Sequence, residues 1–168
     1  MKKMFLVLIG LVTLISISIG LSISASAEDA IDSGIFGDLT YEFNKTTGEF
    51  VISGEGNMNV STSQIYPTWS KYVQDVKTVT INNGVTDIDK QAFLGFINMT
   101  SITIPDSVTK IGDRAFSYCQ SLTSVKIPNS VKSMGSFVFE GCMKLADVEW
   151  SENLTTIPNG TFVYCESL

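Results

Sequence analysis

From Val76 onward, apolar side chains return every 23 residues without an insertion, while the polar residues between them drift. Four units start at Val76, Met99, Leu122 and Leu145, and Leu168 begins a fifth. The fourth position of each unit is Val79, Ile102, Val125 and Val148, and the sixth is Ile81, Ile104, Ile127 and Trp150. Further along come Val85, Val108, Val131 and Leu154, then Ile88, Ile111, Met134 and Ile157, then Phe93, Phe116, Phe139 and Phe162. Around residues 101–104 and 124–127 apolar and polar residues alternate, which is the period of a strand with one buried face. Pro105 and Pro128 have no N–H to give to a ladder and so end those strands, and Asp106 or Asn129 supplies the turn. Each unit is predicted to be a short strand, a turn and a return segment.

One unit cannot fold alone, because its few apolar side chains do not offset the conformational entropy of ordering 23 backbones. Stacking turns every repeated position into a continuous ladder. The pattern therefore predicts a repeat solenoid, mainly β, over 76–168. Its strands lie in a parallel sheet, with ladders of Val/Ile, of Phe and of Cys along the axis. The preceding segment reads differently: residues 40–43 and 49–52 alternate in strand period around a polar turn at 44–48, a hairpin signal. A stack needs its first apolar layer covered. Residues 28–75, with this hairpin followed by Trp69 and Tyr72, are read as an N-terminal β cap.

The unit pattern L-x-x-V-x-I-P-x-S-V-x-x-I/M-G, then a small residue with Phe and a following Cys, resembles the 23-residue leucine-rich repeats of BspA-like bacterial surface proteins. The resemblance covers Val76 to Leu168 closely, and stretches 37–41, 51–58 and 67–72 resemble the module that precedes such repeats. Unit one departs by lacking the proline and the cysteine (Asn82, Phe96), and unit four has Trp150-Ser151 in place of Ile-Pro. The resemblance implies a leucine-rich-repeat-like right-handed coil, a role in attachment or protein–protein contact, and a strand face that serves as the binding platform. In this chain that face is Thr78, Thr80, Ser101, Thr103, Ser124, Lys126, Asp147 and Glu149. Physically it is a regular array whose side chains can vary without disturbing the core. Its character moves from hydroxyl to basic to acidic.

The start of the chain sets the compartment. Lys2 and Lys3 precede an uncharged apolar run that closes on Ala25-Ser26-Ala27, the order of a secretory signal peptide over 1–27. The competing reading is a retained membrane anchor, since residues 5–24 match the ~20 residues a bilayer requires. Both readings put the folded part outside the cytoplasm, secreted or at the cell surface, with the membrane engaged only through the leader in the first case. Loss of Lys2 and Lys3 leaves 17 acidic residues and a formal charge of −8, where the whole chain has −6. Nucleic acid is not an expected partner for such a surface. An extracellular protein or glycan is.

Candidate chemistry is sparse. The chain has no histidine, which removes histidine acid–base catalysis, Ser-His triads and histidine metal sites. No enzyme activity, cofactor or metal is expected. Two carboxylate pairs, Asp87 with Asp89 and Asp147 with Glu149, read as solvated strand faces, because calcium wants six or more oxygens in a curved loop. Cys119, Cys142 and Cys165 share one register position, so adjacent thiols come within disulfide reach; a core-facing ladder of three nevertheless favours buried free thiols. Gly54-Glu55-Gly56 lacks the rest of a phosphate loop and reads as a tight turn. Asn-x-Ser/Thr sequons at Asn44, Asn59, Asn98, Asn153 and Asn159 are incidental beside a bacterial-looking leader. The expected function is a secreted or surface protein that mediates adhesion or protein–protein interaction through its repeat sheet. The alternative is a set of spacer repeats that display another domain, a catalytic one included, of a longer protein of which this chain is a fragment.

Overall fold

The computed structural model describes residues 30–58 and 67–168. The leader expected over 1–27 and the sequon at Asn59 lie outside the described residues. Eleven strands are present among these residues: β1 (Ile31–Phe36), β2 (Leu39–Asn44), β3 (Glu49–Gly54), β4 (Gly56–Asn57), β5 (Thr78–Ile81), β6 (Val85–Ile88), β7 (Ser101–Thr103), β8 (Lys110–Ile111), β9 (Ser124–Lys126), β10 (Ser133–Met134) and β11 (Asp147–Glu149). A single 3-10 turn, Thr68–Tyr72, is the helical element described.

The 23-residue spacing becomes parallel pairing. Val79 on β5 pairs with Ile102 on β7, and Val125 on β9 with Val148 on β11. Between these pairs the register carries through, with the Thr123 N–H reaching Thr100 O at 3.5 Å. A second parallel sheet runs in the order β10-β8-β6-β4 and is built from the return segments. Val85, Val108 and Val131 are fully buried beside it, as the apolar pattern requires.

A third ladder closes each unit on the turn side. In unit one the N–H groups of Gln91, Phe93 and Gly95 donate to Asp113, Ala115 and Ser117 of unit two, at 2.9, 2.8 and 2.8 Å. The intervening N–H groups of Ala92, Leu94 and Phe96 bond three residues back, at 3.3, 3.2 and 3.3 Å. This alternation of local and inter-unit bonds satisfies a backbone that is neither helix nor strand. Within it the Phe column stacks: Phe93–Phe116, Phe116–Phe139 and Phe139–Phe162 lie 5.6, 5.5 and 5.9 Å apart, with ring planes within 10° of parallel.

The alternating turn demands left-handed backbone at two register positions. One column is Gln91, Arg114, Phe137 and Gly160, and the other is Gly95, Tyr118, Gly141 and Tyr164, all with φ between 54° and 75°. The side chains in these columns fit one another. A Cβ on Gly141 would come 2.7 Å from the Tyr118 ring, and one on Gly160 would run into the Phe137 ring. The Arg114 guanidinium lies over Phe137 at 5.0 Å.

The first apolar layer is covered by more than a hairpin. The strands expected at 40–43 and 49–52 form β2 and β3, and β1 adds a third antiparallel strand through Ile35↔Thr40 and Ile31↔Asn44. β3 then pairs in parallel with β5, Phe50 against Val79, and β4 with β6, so the segment from β3 onward already behaves as a preceding unit. Its spacing is not 23: 29 residues separate Glu49 from its partner Thr78. Trp69, one unit ahead of the Phe column, sits 6.5 Å from Phe93.

Burial fades along unit four, where no further unit stacks in this structure. Val148, Leu154 and Phe162 are partly buried, and Ile157, expected in the ladder of Ile88 and Ile111, is 63% exposed.

Candidate interaction face

The eight residues read from the sequence as a platform do share one side of the front sheet. Thr78 faces Ser101, Thr80 faces Thr103, Ser124 faces Asp147 and Lys126 faces Glu149 across the parallel ladders. Ser101, Thr103, Ser124, Lys126, Asp147 and Glu149 are exposed, and Thr78 and Thr80 are half-buried. Strand alternation forces this, because the residues between them point into the core.

The register also shows what the repeat pattern missed. Glu49 and Val51 on β3 lie opposite Thr78 and Thr80, and Asn44 and Glu42 on β2 lie opposite Glu49 and Val51. Ser33 and Ile35 on β1 extend the same side, Ile35 at 79% exposure. The face therefore runs from the cap through β7 in one sheet and goes on over β9 and β11, which pair as a separate two-stranded sheet beside it. Its middle carries short Ser and Thr side chains, flanked by Glu42 and Glu49 on the cap side and by Asp147 and Glu149 on the far side, and its outermost strand β1 adds exposed Ile31 and Ile35. The alternation within 49–52 could have flagged Glu49 and Val51, but nothing local says that β3 abuts β5.

One ion pair orders the far end. Lys126 Nζ bonds Glu149 Oε1, and this contact raises the lysine's pKa. Both side chains are well exposed, so salt screens the pair. Asp147 stands beside it. Asp87 accepts the Thr86 hydroxyl at 2.7 Å and Asp89 accepts the Lys90 N–H at 2.7 Å. Among the described residues no three Cys, Asp or Glu side chains gather where a metal ion would sit.

On the return side a groove of about 350 Å³ is lined by Asp87, Lys90, Lys110, Asp113 and Ser133 among others. Gly112 and Gly135 also line it and press on the preceding unit at Lys90 and Asp113, where a Cβ would clash. The three cysteines stand in line inside the turn side. Cys119, Cys142 and Cys165 are free thiols that donate to the carbonyls of Phe93, Phe116 and Phe139 at 3.2, 3.2 and 3.1 Å. Burial pushes all three pKa values up, that of Cys142 to about 12. No helix among the described residues is long and apolar enough to cross a membrane.

Parallel strands in 23-residue register, a stacked Phe column and one open strand face define a leucine-rich repeat protein. Residues 63–168 match the family model described as BspA type leucine-rich repeat region, in six copies, and the chain belongs to that family. The match begins ahead of Val76, in keeping with a preceding unit built from cap residues. None of the curated proteins compared matches the chain. Among solved structures, a leucine-rich repeat protein from Eubacterium ventriosum is similar at 22% identity and a TM-score of 0.50, over 74% of this chain and 45% of that one. One from Bacteroides ovatus is similar at 22% identity and a TM-score of 0.47, over 80% and 45%. The pneumococcal vaccine antigen PcpA is similar at 15% identity and a TM-score of 0.45, over 73% and 38%. The chain thus spans less than half the length of these three relatives, and the first likeness shows the fold.

Proposed function

We propose that this chain is a secreted or cell-surface protein whose stacked units form a right-handed solenoid coil and which mediates protein–protein interaction or adhesion through its front sheet. The observation that carries this reading is the face that the front strands from β1 to β11 present on one side, whose side chains alternate with those of the core. Right-handedness follows from the strong bias of crossovers between parallel strands. A fixed array of this kind meets a partner without first having to order itself. The acids that flank its middle, Glu42, Glu49, Asp147 and Glu149, favour partners with basic patches. The leader-like start of the sequence supports export.

Immobilised extracellular matrix proteins and cell-surface glycans test the reading. The expected result is saturable binding to at least one of them, lost when Thr80 and Thr103 are both replaced by Arg while the melting transition is kept. Absence of saturable binding, or binding indifferent to the face variant, overturns it. In that outcome the second reading gains: units that space another domain of a longer protein. The fact that the chain spans 45% of the Eubacterium ventriosum relative favours that second reading.

A further inference from the structure

Strand β1 ends the front sheet on the cap side with its outer edge open. The chain turns back on itself at Gly37-Asp38, so the parallel stack is finished here by an antiparallel strand, which runs through six consecutive pairs with β2. The Lys45 N–H donates to Ala30 O at 2.7 Å and so fixes the phase of that ladder. Hydrogen-bonded and non-bonded positions alternate in an antiparallel pair. Asp32, Gly34 and Phe36 therefore turn their backbone groups toward β2, and Ile31, Ser33 and Ile35 turn theirs outward. Among the described residues no hydrogen bond reaches these outward groups.

Folded proteins usually blunt such an edge with lysine, proline or a bulge. β1 has none of them. Its one charge, Asp32, lies on the other side of the sheet, where Tyr72 and Lys71 hold it. On the front side Ile31 and Ile35 stand 51% and 79% exposed, with exposed Ser33 between them.

We propose that β1 is a homodimer interface, pairing antiparallel with β1 of a second copy about a two-fold axis at Ser33. In that register Ser33 meets its own counterpart, and Ile31 of each copy meets Ile35 of the other. All three are hydrogen-bonded positions, so every outward N–H and C=O of both strands gains a partner. The side chains match as well, isoleucine against isoleucine and hydroxyl against hydroxyl. A shift of two residues in either direction sets isoleucine against serine. On the opposite side of the sheet Asp32 meets Gly34, so no like charges are opposed. Charge also selects a second copy and this strand for it. The chain is acidic and repels its copy over most of its surface; β2 and β3 carry Glu42 and Glu49 on the front side, whereas β1 carries no charge there.

The two-fold axis stands perpendicular to the sheet, so both front faces look the same way. The dimer presents the front face twice on one side, and a partner with repeated sites is held at two points. This consequence, unlike the pairing itself, rests on the front face being the binding face. One six-residue strand pair is smaller than a standard interface, which makes the association weak and concentration-dependent.

Sedimentation velocity of the chain as exported, from low to high micromolar concentration, tests the pairing. The expected result is a reversible monomer–dimer equilibrium that tightens as salt screens the like net charges. Ser33→Glu and Ser33→Lys each set like charges against one another at the axis, and each alone should weaken the dimer several-fold with the melting transition kept. An equal mixture of the two variants sets opposite charges there and should restore the dimer. A chain that stays monomeric throughout, a dimer that neither variant weakens, or a mixture that associates no better than its components overturns the proposal. Because no ligand enters this measurement, loss of the dimer leaves the binding reading untouched.

Discussion

The indole nitrogen of Trp69 donates a 2.8 Å hydrogen bond to the carbonyl of Ala92, 23 residues later, and its ring heads the column that continues through Phe93, Phe116, Phe139 and Phe162. Trp69 is 1% exposed and also meets the rings of Phe36, Tyr41 and Phe50. It is therefore the joint between cap and repeats. Trp69→Ala should cost about 3–5 kcal/mol. Trp69→Phe keeps a ring but leaves a buried carbonyl without its donor, at about 1–3 kcal/mol. Urea unfolding with a constant m-value for both variants checks the pair of figures.

Gly160 lies under Phe137, which lies under Arg114. Gly160→Ala introduces a Cβ where the ring already sits, in a left-handed conformation of φ 68°. The expected loss is about 1–3 kcal/mol. Phe137→Ala removes the obstacle, so the double variant should lose less than the sum of the two single ones, as contacting residues do. Additive losses would show that the ring and the glycine do not meet.

The cysteines differ in access along one column. Cys119 and Cys142 are fully buried and Cys165 partly so. A thiol-specific reagent should label Cys165 first and Cys119 only on unfolding, as counted by mass spectrometry, because the thiolate is the reactive form and burial suppresses it. These thiols also carry a pH signature. Their folded pKa values are raised, so their contribution to stability is whole below the unfolded thiol value of ~8.5 and is eroded as pH rises. For Cys142 the erosion extends to about 12. Cys142→Ala should flatten the alkaline limb of a melting-temperature profile.

Asp32 secures β1, the outermost strand of the cap. It accepts the Tyr72 hydroxyl and lies 3.2 Å from Lys71 Nζ, contacts that lower its pKa in that order. Burial first, then this hydrogen bond, raises Tyr72 to about 12. A lowered carboxylate contributes stability above its unfolded value of ~4 and loses it as pH falls through the folded value. Asp32→Asn should therefore be less stable than wild type at neutral pH, with the two converging in acid. A constant gap across the titration would count against the network.

Much of the fold was legible because stacking makes one demand on every unit. Val79, Ile102 and Val125 must face inward at one height, so the chain repeats them. The front face was legible for the same reason in reverse, since the residues between the ladder positions have nowhere to point but outward. The turn side was not legible. Gln91, Arg114, Phe137, Tyr118 and Tyr164 hold left-handed backbone with none of the glycine that usually announces it. At Gln91, Arg114, Tyr118 and Phe137 the N–H bonds to the next unit, and the Tyr118 and Phe137 rings pack over Gly141 and Gly160 a unit away.

By itself the sequence determined the 23-residue register, the hairpin and repeat strands, most of the inward ladders and the eight face residues, because each follows from a local period and the need to bury it. Only the tertiary structure decided how the cap joins. The offset of 29 between Glu49 and Thr78, the place of Trp69 at the head of the Phe column, and the extension of the face over Glu42, Glu49 and Ile35 all depend on pairing between segments of unequal spacing. No period within either segment records that pairing. It is fixed by which strand edges and which buried rings meet once the chain is folded.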